Sequence, residues 1–135
     1  MCMTRRTLIA TGLGFCVTAT ARAASAEHRS FVAAAFRMKA QAVTAGDQPY
    51  GAVVVHSGAI VGWGPSRVRE LGEWAGHAER VAMRDAQRRL GRDDLSACVM
   101  YSTSRPCAVC ERAAAQAKLI RMYHGEDATD AGAPR

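Results

Sequence analysis

The sequence contains no internal repeat, no low-complexity segment beyond an enrichment in alanine, and few aromatic residues, which make up 6% of its 135 residues. Hydrophobic residues make up 49% and charged residues 22%, so collagen-like and disordered proteins are excluded. Chains of about 100–150 residues commonly form one domain with its own core. We therefore expect a single globular domain.

The N-terminal apolar stretch is too short to be a membrane anchor. It runs from Leu8 to Thr20 after the paired Arg5 and Arg6, and it falls below the ~20 residues that a spanning helix needs. Two small-x-small triplets follow, Ala21-Arg22-Ala23 and Ala24-Ser25-Ala26, and signal peptidase accepts this pattern. Paired arginines before an apolar run resemble a twin-arginine export signal. We predict that residues 1–26 form a cleaved export signal and that the protein is periplasmic or secreted, with no stable membrane anchor.

The positive charge of the chain falls when this signal is removed. The 18 Lys and Arg residues against 12 Asp and Glu residues give a net charge of +6, but three of the arginines lie within 1–26, which leaves 15 basic residues and a net charge of +3. No basic stripe typical of nucleic-acid binding is evident in the remainder. A small-molecule partner is therefore expected rather than a nucleic acid.

The rest of the pattern predicts alternating helices and strands. We expect a helix over 27–45, a hairpin of strands 50–56 and 59–63, a loop over 65–76, a helix over 77–90, a strand over 97–103, a helix over 106–118 and a strand over 119–124. This order predicts an α/β fold, a three-layer sandwich with a central mixed β-sheet of about four strands and helices on its faces. The predicted domain covers 27–125, and a loose C-terminal tail covers 126–135.

After removal of the signal the chain has three cysteines, an uneven number that cannot all be paired in disulfides. Cys2 and Cys16 would leave with the signal, and Cys98, Cys107 and Cys110 would remain. Cys98 lies within a predicted strand, where we expect a buried small hydrophobe. Cys107 and Cys110 are three residues apart at a predicted helix start, where exposed N–H groups favour thiolates. This pair is a candidate metal-binding motif.

A third ligand is available at the start of another predicted helix. The imidazole of His77 and the two thiolates make a donor set that suits zinc, and no fourth ligand is evident. A structural zinc site uses four protein ligands, whereas three ligands and an open position indicate a catalytic site. Glu79 lies two residues beyond His77 and could transfer protons there. Acids are also common at helix starts because of the helix dipole.

These residues together resemble a known family. His77-Ala78-Glu79 followed by Pro106-Cys107-Ala108-Val109-Cys110 is similar to the H-x-E…P-C-x-x-C signature of the zinc-dependent cytidine/deoxycytidylate deaminase superfamily. The similarity extends from Phe31 to Gly132, and it is greatest to the branch of guanine and tRNA-adenosine deaminases. The resemblance implies a cytidine deaminase-like fold and a Zn²⁺ cofactor. It implies zinc ligation by His77, Cys107 and Cys110, and proton transfer by Glu79.

The resemblance also implies a reaction. Zinc hydroxide would add to the amidine carbon of a nucleobase or nucleoside, Glu79 would protonate the ring nitrogen and then the leaving amine, and ammonia would depart. The backbone N–H of Ala78 would contact the substrate ring. Members of the family are commonly dimers, so we expect a homodimer.

The substrate side departs from the family pattern. Ser66 stands nearest to the position where relatives often carry a substrate-binding Asn, Arg105 replaces the Glu that usually precedes Pro-Cys, and the C-terminus is short. Aromatic side chains near the motif could stack on a base or could belong to the core; they are Tyr50, Trp63 and Trp74. The predicted substrate contacts are Ala78, Ser66, Trp63 and Tyr50.

Two other functions stay open at this point. The changes at Ser66 and Arg105 are compatible with a non-catalytic, zinc-stabilised binding module. Retention of Glu79 argues against that alternative, because a scaffold needs the zinc ligands but not the acid. The second alternative is a secreted effector that acts on a foreign nucleic acid.

Overall fold

A computed structural model of the protein describes residues 16–135. In chain order its elements are α1 (Cys16–Thr44), β1 (Gly51–His56), β2 (Ala59–Pro65), α2 (Val68–Leu71), α3 (Ala78–Leu90), β3 (Cys98–Ser102), α4 (Ala108–Gln116), β4 (Arg121–His124) and β5 (Thr129–Gly132). Arg5 and Arg6 of the predicted export signal lie outside the described residues, and α1 includes the predicted cleavage region 21–26. Within the described part of the chain, no helix is both long and apolar enough to cross a membrane.

One mixed β-sheet forms the centre of the molecule, with the strand order β2-β1-β3-β4-β5. The β3–β4 pair is parallel and the other neighbouring pairs are antiparallel. The predicted α/β fold, a mixed sheet with helices on its faces, is confirmed. The sheet has five strands rather than four, because β5 lies within the predicted loose tail. The residues of β5 are Thr-Asp-Ala-Gly, which have low strand propensity as a group, so pairing with β4 supplies its extended conformation.

A second difference concerns the segment between β2 and α3. The sequence predicts a loop over 65–76, and the structure has the single helical turn α2 within it. The side chain of Asp47 lies at the start of this turn and accepts hydrogen bonds from the backbone N–H groups of Val68 and Arg69, at 3.1 and 3.0 Å. A carboxylate from a distant part of the chain therefore caps α2, and local sequence patterns do not report such a contact.

The two faces of the sheet carry separate cores. Along β1, Val53 and Val55 face α1, whereas Ala52 and Val54 face α3, as the alternation of a strand requires. The core under α1 contains aromatic side chains, among them Phe31 and Tyr101. The core under α3 and α4 is built mainly from alanine, methionine and leucine; its members include Ala82, Met83, Ala86, Leu95, Met100, Ala114 and Met122.

Two glycines allow α3 to pack very closely on β2. A Cβ atom added at Gly62 would collide with the carbonyl oxygen of Ala82, and one added at Gly64 would collide with that of Ala78. Because Ala78 is the first residue of α3, this contact places the first turn of the helix against β2. The chain then passes through β3 and α4 into the parallel strand β4, which is the usual role of a crossover helix.

Candidate active site

The beginnings of α3 and α4 meet and bring three potential metal ligands together. His77 is the residue before α3, Cys107 is the residue before α4, and Cys110 lies in the first turn of α4. His77 Nδ1 lies 3.5 Å from Cys107 Sγ and 3.4 Å from Cys110 Sγ. The three ligand atoms all lie within 4.8 Å of one another. The three predicted ligands are therefore adjacent, although 30 residues separate His77 from Cys107.

These separations fit a tetrahedral zinc ion. Zinc bonds of about 2.3 Å to sulfur and about 2.0–2.1 Å to nitrogen, at a tetrahedral angle, place the sulfur and nitrogen atoms about 3.5 Å apart. The donor set of two thiols and one imidazole also suits zinc. Cys98 is fully buried in the core and is not part of the group. Among residues 16–135, the group thus has three members, as a zinc site with one open position requires.

The other ring nitrogen of His77 faces an acidic side chain that the sequence did not single out. His77 Nε2 lies 3.5 Å from Glu73 Oε1. A metal-bound histidine commonly donates its second N–H to a carboxylate, which fixes the tautomer and the orientation of the ring. Glu73 precedes His77 by four residues, and in the sequence only this spacing indicates that the two side chains could meet.

Glu79 is a buried acid next to the three ligands. Its side chain belongs to the first turn of α3, and the residue is 6% exposed. Burial raises the pKa of the Glu79 carboxyl, while a backbone hydrogen bond, the charge of His77 and a hydrogen bond with Cys110 oppose that rise. Burial and the nearby Glu79 also raise the pKa of the Cys110 thiol. A bound cation acts in the opposite direction, because it stabilises a coordinating thiolate.

A cavity of about 500 Å³ opens beside this group. Its walls come from the segment before β1, the segment before α3, the start of α3 and the segment after β3. The lining residues are Gln48, Tyr50, Glu73, His77, Ala78, Glu79, Ser104, Arg105 and Cys107. Five of the residues predicted for the site thus line one cavity: Tyr50, His77, Ala78, Glu79 and Cys107.

Hydrogen bonds between loops hold the walls of this cavity. Thr103 N–H donates to the carbonyl oxygen of Gly51 at 2.9 Å, and Gly51 N–H donates to Thr103 Oγ1 at 3.1 Å. Tyr50, next to Gly51, accepts a hydrogen bond from Ser66 N–H at 3.0 Å through its carbonyl oxygen. The segment that carries Tyr50 is therefore joined both to the segment after β3 and to the end of β2.

Two predicted substrate contacts lie away from the cavity lining. The Ser66 hydroxyl donates to Asp47 Oδ1 at 2.9 Å, and the residue is 3% exposed. The Trp63 side chain packs with the core under α1, on the face of β2 opposite to the side on which Gly62 and Gly64 approach α3. In this structure Ser66 thus supports the loop, and the partly buried Trp63 packs against the core under α1.

The third aromatic residue, Trp74, lies at the edge of the metal group. Its ring centroid is 5.8 Å from that of His77, and the residue is 58% exposed. Gln48 and Ser104 line the cavity but were not singled out from the sequence. Their nearness depends on contacts between distant segments, and no local motif marks them.

Residues 25–126 match the family described as the cytidine and deoxycytidylate deaminase zinc-binding region. The chain belongs to this family. Zinc is the cofactor of such a domain, and the group of His77, Cys107 and Cys110 could bind it.

Deaminases are among the proteins of this family that resemble the chain. It is 33% identical to the guanine deaminase of Bacillus subtilis (strain 168) over 105 residues, which cover 77% of this chain and 67% of the relative. It is 35% identical to the tRNA-specific adenosine deaminase of Agrobacterium fabrum (strain C58) over 85 residues, which cover 63% of this chain and 56% of the relative. The chain thus spans between about half and two thirds of the length of these deaminases.

Solved structures of deaminases share the fold. A structure of guanine deaminase from Bacillus subtilis superposes with a TM-score of 0.68 at 32% identity, covering 73% of this chain and 63% of the other. A structure from a study of A-to-I editing by tRNA:A34 deaminases gives a TM-score of 0.69 at 32% identity, covering 73% and 75%. The protein is therefore a deaminase-family domain with a cytidine deaminase-like architecture.

Proposed function

We propose that the protein is a zinc-dependent hydrolytic deaminase of a nucleobase or nucleoside. The observation that supports this most strongly is the burial of Glu79 beside His77 and Cys110, in the lining of a cavity. A buried carboxyl group costs stability unless hydrogen bonds or an opposite charge compensate for the lost water. A binding module would need the three ligands but would gain nothing from this acid.

Zinc held by His77, Cys107 and Cys110 would supply Lewis acidity, which makes water a usable nucleophile near neutral pH. Glu79 takes the proton that the water loses and passes it to the ring nitrogen of the substrate. It then takes the second proton, from the hydroxyl group now bound to the ring carbon, and delivers it to the departing amine; the carbon–amine bond breaks, and ammonia and the carbonyl base are the products. Because the Glu79 carboxyl is buried beside His77 and Cys110, it is positioned to carry each proton between the metal site and the substrate.

Two further groups orient the ring in this proposal. Ala78 belongs to the first turn of α3, where backbone N–H groups have no intrahelical partner. Its N–H is therefore free to donate to a carbonyl or ring nitrogen of the base. Tyr50 lines the same cavity and is 43% exposed, so its ring face can stack on the base.

The proposal is tested by ammonia release from purified, zinc-loaded protein with a panel of bases and nucleosides. Glu79→Gln should abolish turnover while the bound zinc, measured by elemental analysis, stays at one ion per chain. Glu126→Gln is the matched control, because Glu126 is exposed and lies outside the cavity lining. Equal turnover in Glu79→Gln and wild type would contradict the mechanism. Zinc binding with no turnover of any small substrate would favour the binding module instead.

We also propose that the protein is exported and that its working form is a homodimer. The described side chains of α1 that are buried begin at Phe31, so cleavage near 24–26 would leave the core intact. N-terminal sequencing of exported material should begin near Ala24 or Glu27, and an intact Met1 would contradict cleavage. Sedimentation of the zinc-loaded protein should give twice the mass of the cleaved chain, and a monomer would contradict the dimer.

A further inference from the structure

Gln48 is a polar residue of the cavity that has no part in the metal group or in the proposed proton transfers. It lies in the wall formed by the segment before β1, whereas the three ligands lie at the beginnings of α3 and α4. The residue is half-buried, and its carboxamide has no hydrogen-bond partner among residues 16–135. One donor group and one acceptor group are thus available to a ligand in the cavity.

Hydrogen bonds hold the backbone of Gln48 on both sides. Its N–H donates to Asp47 Oδ1 at 2.8 Å, and its carbonyl oxygen accepts a hydrogen bond from Tyr50 N–H at 2.8 Å. Pro49 lies between Gln48 and Tyr50 and restricts the backbone further. Only the side-chain torsions of Gln48 have to be ordered when a ligand binds, which lowers the entropic cost of the contact.

Asp47 contacts both Gln48 and a residue that the sequence predicts as a substrate contact, Ser66. The same oxygen atom, Oδ1, accepts hydrogen bonds from Gln48 N–H and from the Ser66 hydroxyl, the latter at 2.9 Å. Ser66 is buried and lies outside the cavity lining, whereas Gln48 lies within it. A polar contact with a substrate can therefore come from Gln48 but not from Ser66.

The other polar side chains of the lining differ from Gln48. The Glu73 carboxylate faces the His77 imidazole at 3.5 Å, and Glu79 is hydrogen-bonded with Cys110. The remaining ones are two hydroxyl groups and one guanidinium group, which belong to Tyr50, Ser104 and Arg105. A carboxamide places a donor nitrogen and an acceptor oxygen side by side. Among the described residues that line the cavity, Gln48 is thus the one side chain with this arrangement.

A carboxamide recognises a base by two hydrogen bonds at once. Asn and Gln pair in this way with the N6–H and N7 atoms of adenine, and the same group turned over would pair with a ring N–H and a neighbouring carbonyl oxygen. An edge with two acceptors or two donors leaves half of the carboxamide without a partner. A carboxamide therefore distinguishes bases by the atoms on one edge rather than by their size.

We propose that Gln48 determines which base the site accepts, through a pair of hydrogen bonds with an edge on which a donor and an acceptor lie side by side. This inference rests on the proposed deaminase function and assigns a specificity-determining residue to the same site. With the amidine carbon at the metal group and the ring against Ala78, the edge that reaches Gln48 differs from one base to another. The contact is to the base, so it applies to a free base and to a nucleoside.

The test compares ammonia release from adenine, guanine, cytosine and their nucleosides, with the zinc-loaded full chain. One base should have the highest kcat/KM in the wild type. Gln48→Leu has a similar volume but no hydrogen-bonding atoms, so it should lower that kcat/KM by about 5- to 150-fold, mainly through a higher KM. The preference for this base over the other two should fall by a similar factor. Gln48→Glu keeps acceptors but loses the donor, and it should also lose the preference.

Gln41→Leu is the matched control, because Gln41 is an exposed glutamine on α1 outside the cavity lining. It should keep the wild-type preference. Zinc content and unfolding temperature should stay at the wild-type values in all three variants, which separates an effect on specificity from an effect on folding. An unchanged preference in Gln48→Leu, or an equal loss with all three bases, would overturn this inference and leave the proposed deaminase function intact.

Binding measurements separate this inference from a failure of the proposed function. If no member of the panel is turned over, calorimetry with the same three bases still reports on Gln48. Tighter binding of one base, lost in Gln48→Leu and kept in Gln41→Leu, would support the role of Gln48 while contradicting the deaminase proposal. Equal binding of the three bases, or binding of none, would overturn the role of Gln48 as well.

Discussion

The two faces of the sheet are packed in different ways. Under α1, large aromatic side chains fill the space, and the rings of Tyr101 and Tyr123 stack with centroids 4.9 Å apart. Under α3, small residues allow the helix backbone to approach β2 directly, at Gly62 and Gly64. The first arrangement fills volume with side chains, and the second fixes the position of a backbone.

This difference matters because the ligands lie at helix starts. His77 and Cys107 each occupy the residue before a helix, so an ångström of helix displacement would move a ligand by the same amount. Aromatic packing on the α1 face tolerates more adjustment without reaching the metal group. We therefore expect the α1 face to control stability and the α3 face to control both stability and zinc binding.

Phe31→Ala should have the largest effect on stability and a small effect on zinc binding. Phe31 is 7% exposed, and its ring centroid is 5.2 Å from that of Tyr101. Removal of a buried phenyl ring costs about 3–5 kcal/mol. Denaturant unfolding measures the loss, and competition with a chelator measures the zinc affinity. A tenfold loss of zinc affinity in folded protein would show that the two faces are not independent.

Gly64→Ala should cost less stability but should weaken zinc binding. The added Cβ would collide with the carbonyl oxygen of Ala78 and push the start of α3 away from β2. Overpacking of this kind costs about 1–3 kcal/mol. The same two measurements apply, and Phe31→Ala is the comparison variant. Wild-type zinc affinity in Gly64→Ala would contradict the claim that this contact positions His77.

Glu73→Gln should affect zinc binding without a measurable loss of stability. Loss of the carboxylate opposite His77 Nε2 should weaken zinc binding by about tenfold, at the low end for groups that orient a metal ligand. Glu70→Gln is the control, because Glu70 pairs with Arg67 in the same segment. Equal zinc affinity in the two variants would show that Glu73 does not orient the imidazole.

Tyr101→Phe should have the smallest effect, confined to the α1 face. The Tyr101 hydroxyl lies 2.7 Å from His28 Nδ1, and a hydrogen bond of this kind contributes about 1 kcal/mol. Tyr123→Phe is matched, because its hydroxyl forms no hydrogen bond with a residue in 16–135. Thermal unfolding should distinguish the two variants, while their zinc affinities stay equal. The same unfolding temperature for both variants would show that the hydrogen bond between Tyr101 and His28 does not stabilise the protein.

The metal group could be predicted because its signals are local. His77 and the Cys107/Cys110 pair are marked by spacing and by helix starts, and the α/β order follows from periodicity. The face of β2 on which the Trp63 side chain lies could also be predicted from the sequence. Gly62 and Gly64 alternate with it along β2, and a face without side chains indicates close approach to another element. Trp63 therefore lies on the opposite face, away from α3.

The remaining features depend on contacts between distant segments. Ser66 and α2 are bound by Asp47, which precedes them by about 20 residues. Desolvation alone would raise the pKa of Asp47, but hydrogen bonds from Arg69, Gln48, Ser66 and Val68 together lower it, so Asp47 acts as a charged anchor for two loops. The strand β5 likewise exists through its partner β4. Sequence periodicity contains no information on such pairings.

The central claim is that α3 and α4 hold a zinc ion with three protein ligands and one position open to water or substrate. X-ray absorption at the zinc edge of the loaded protein tests it most directly. We expect two sulfur ligands at about 2.3 Å, one imidazole nitrogen at about 2.0–2.1 Å and one exchangeable oxygen. A third sulfur or a second imidazole would contradict the claim, because four protein ligands would make the zinc structural.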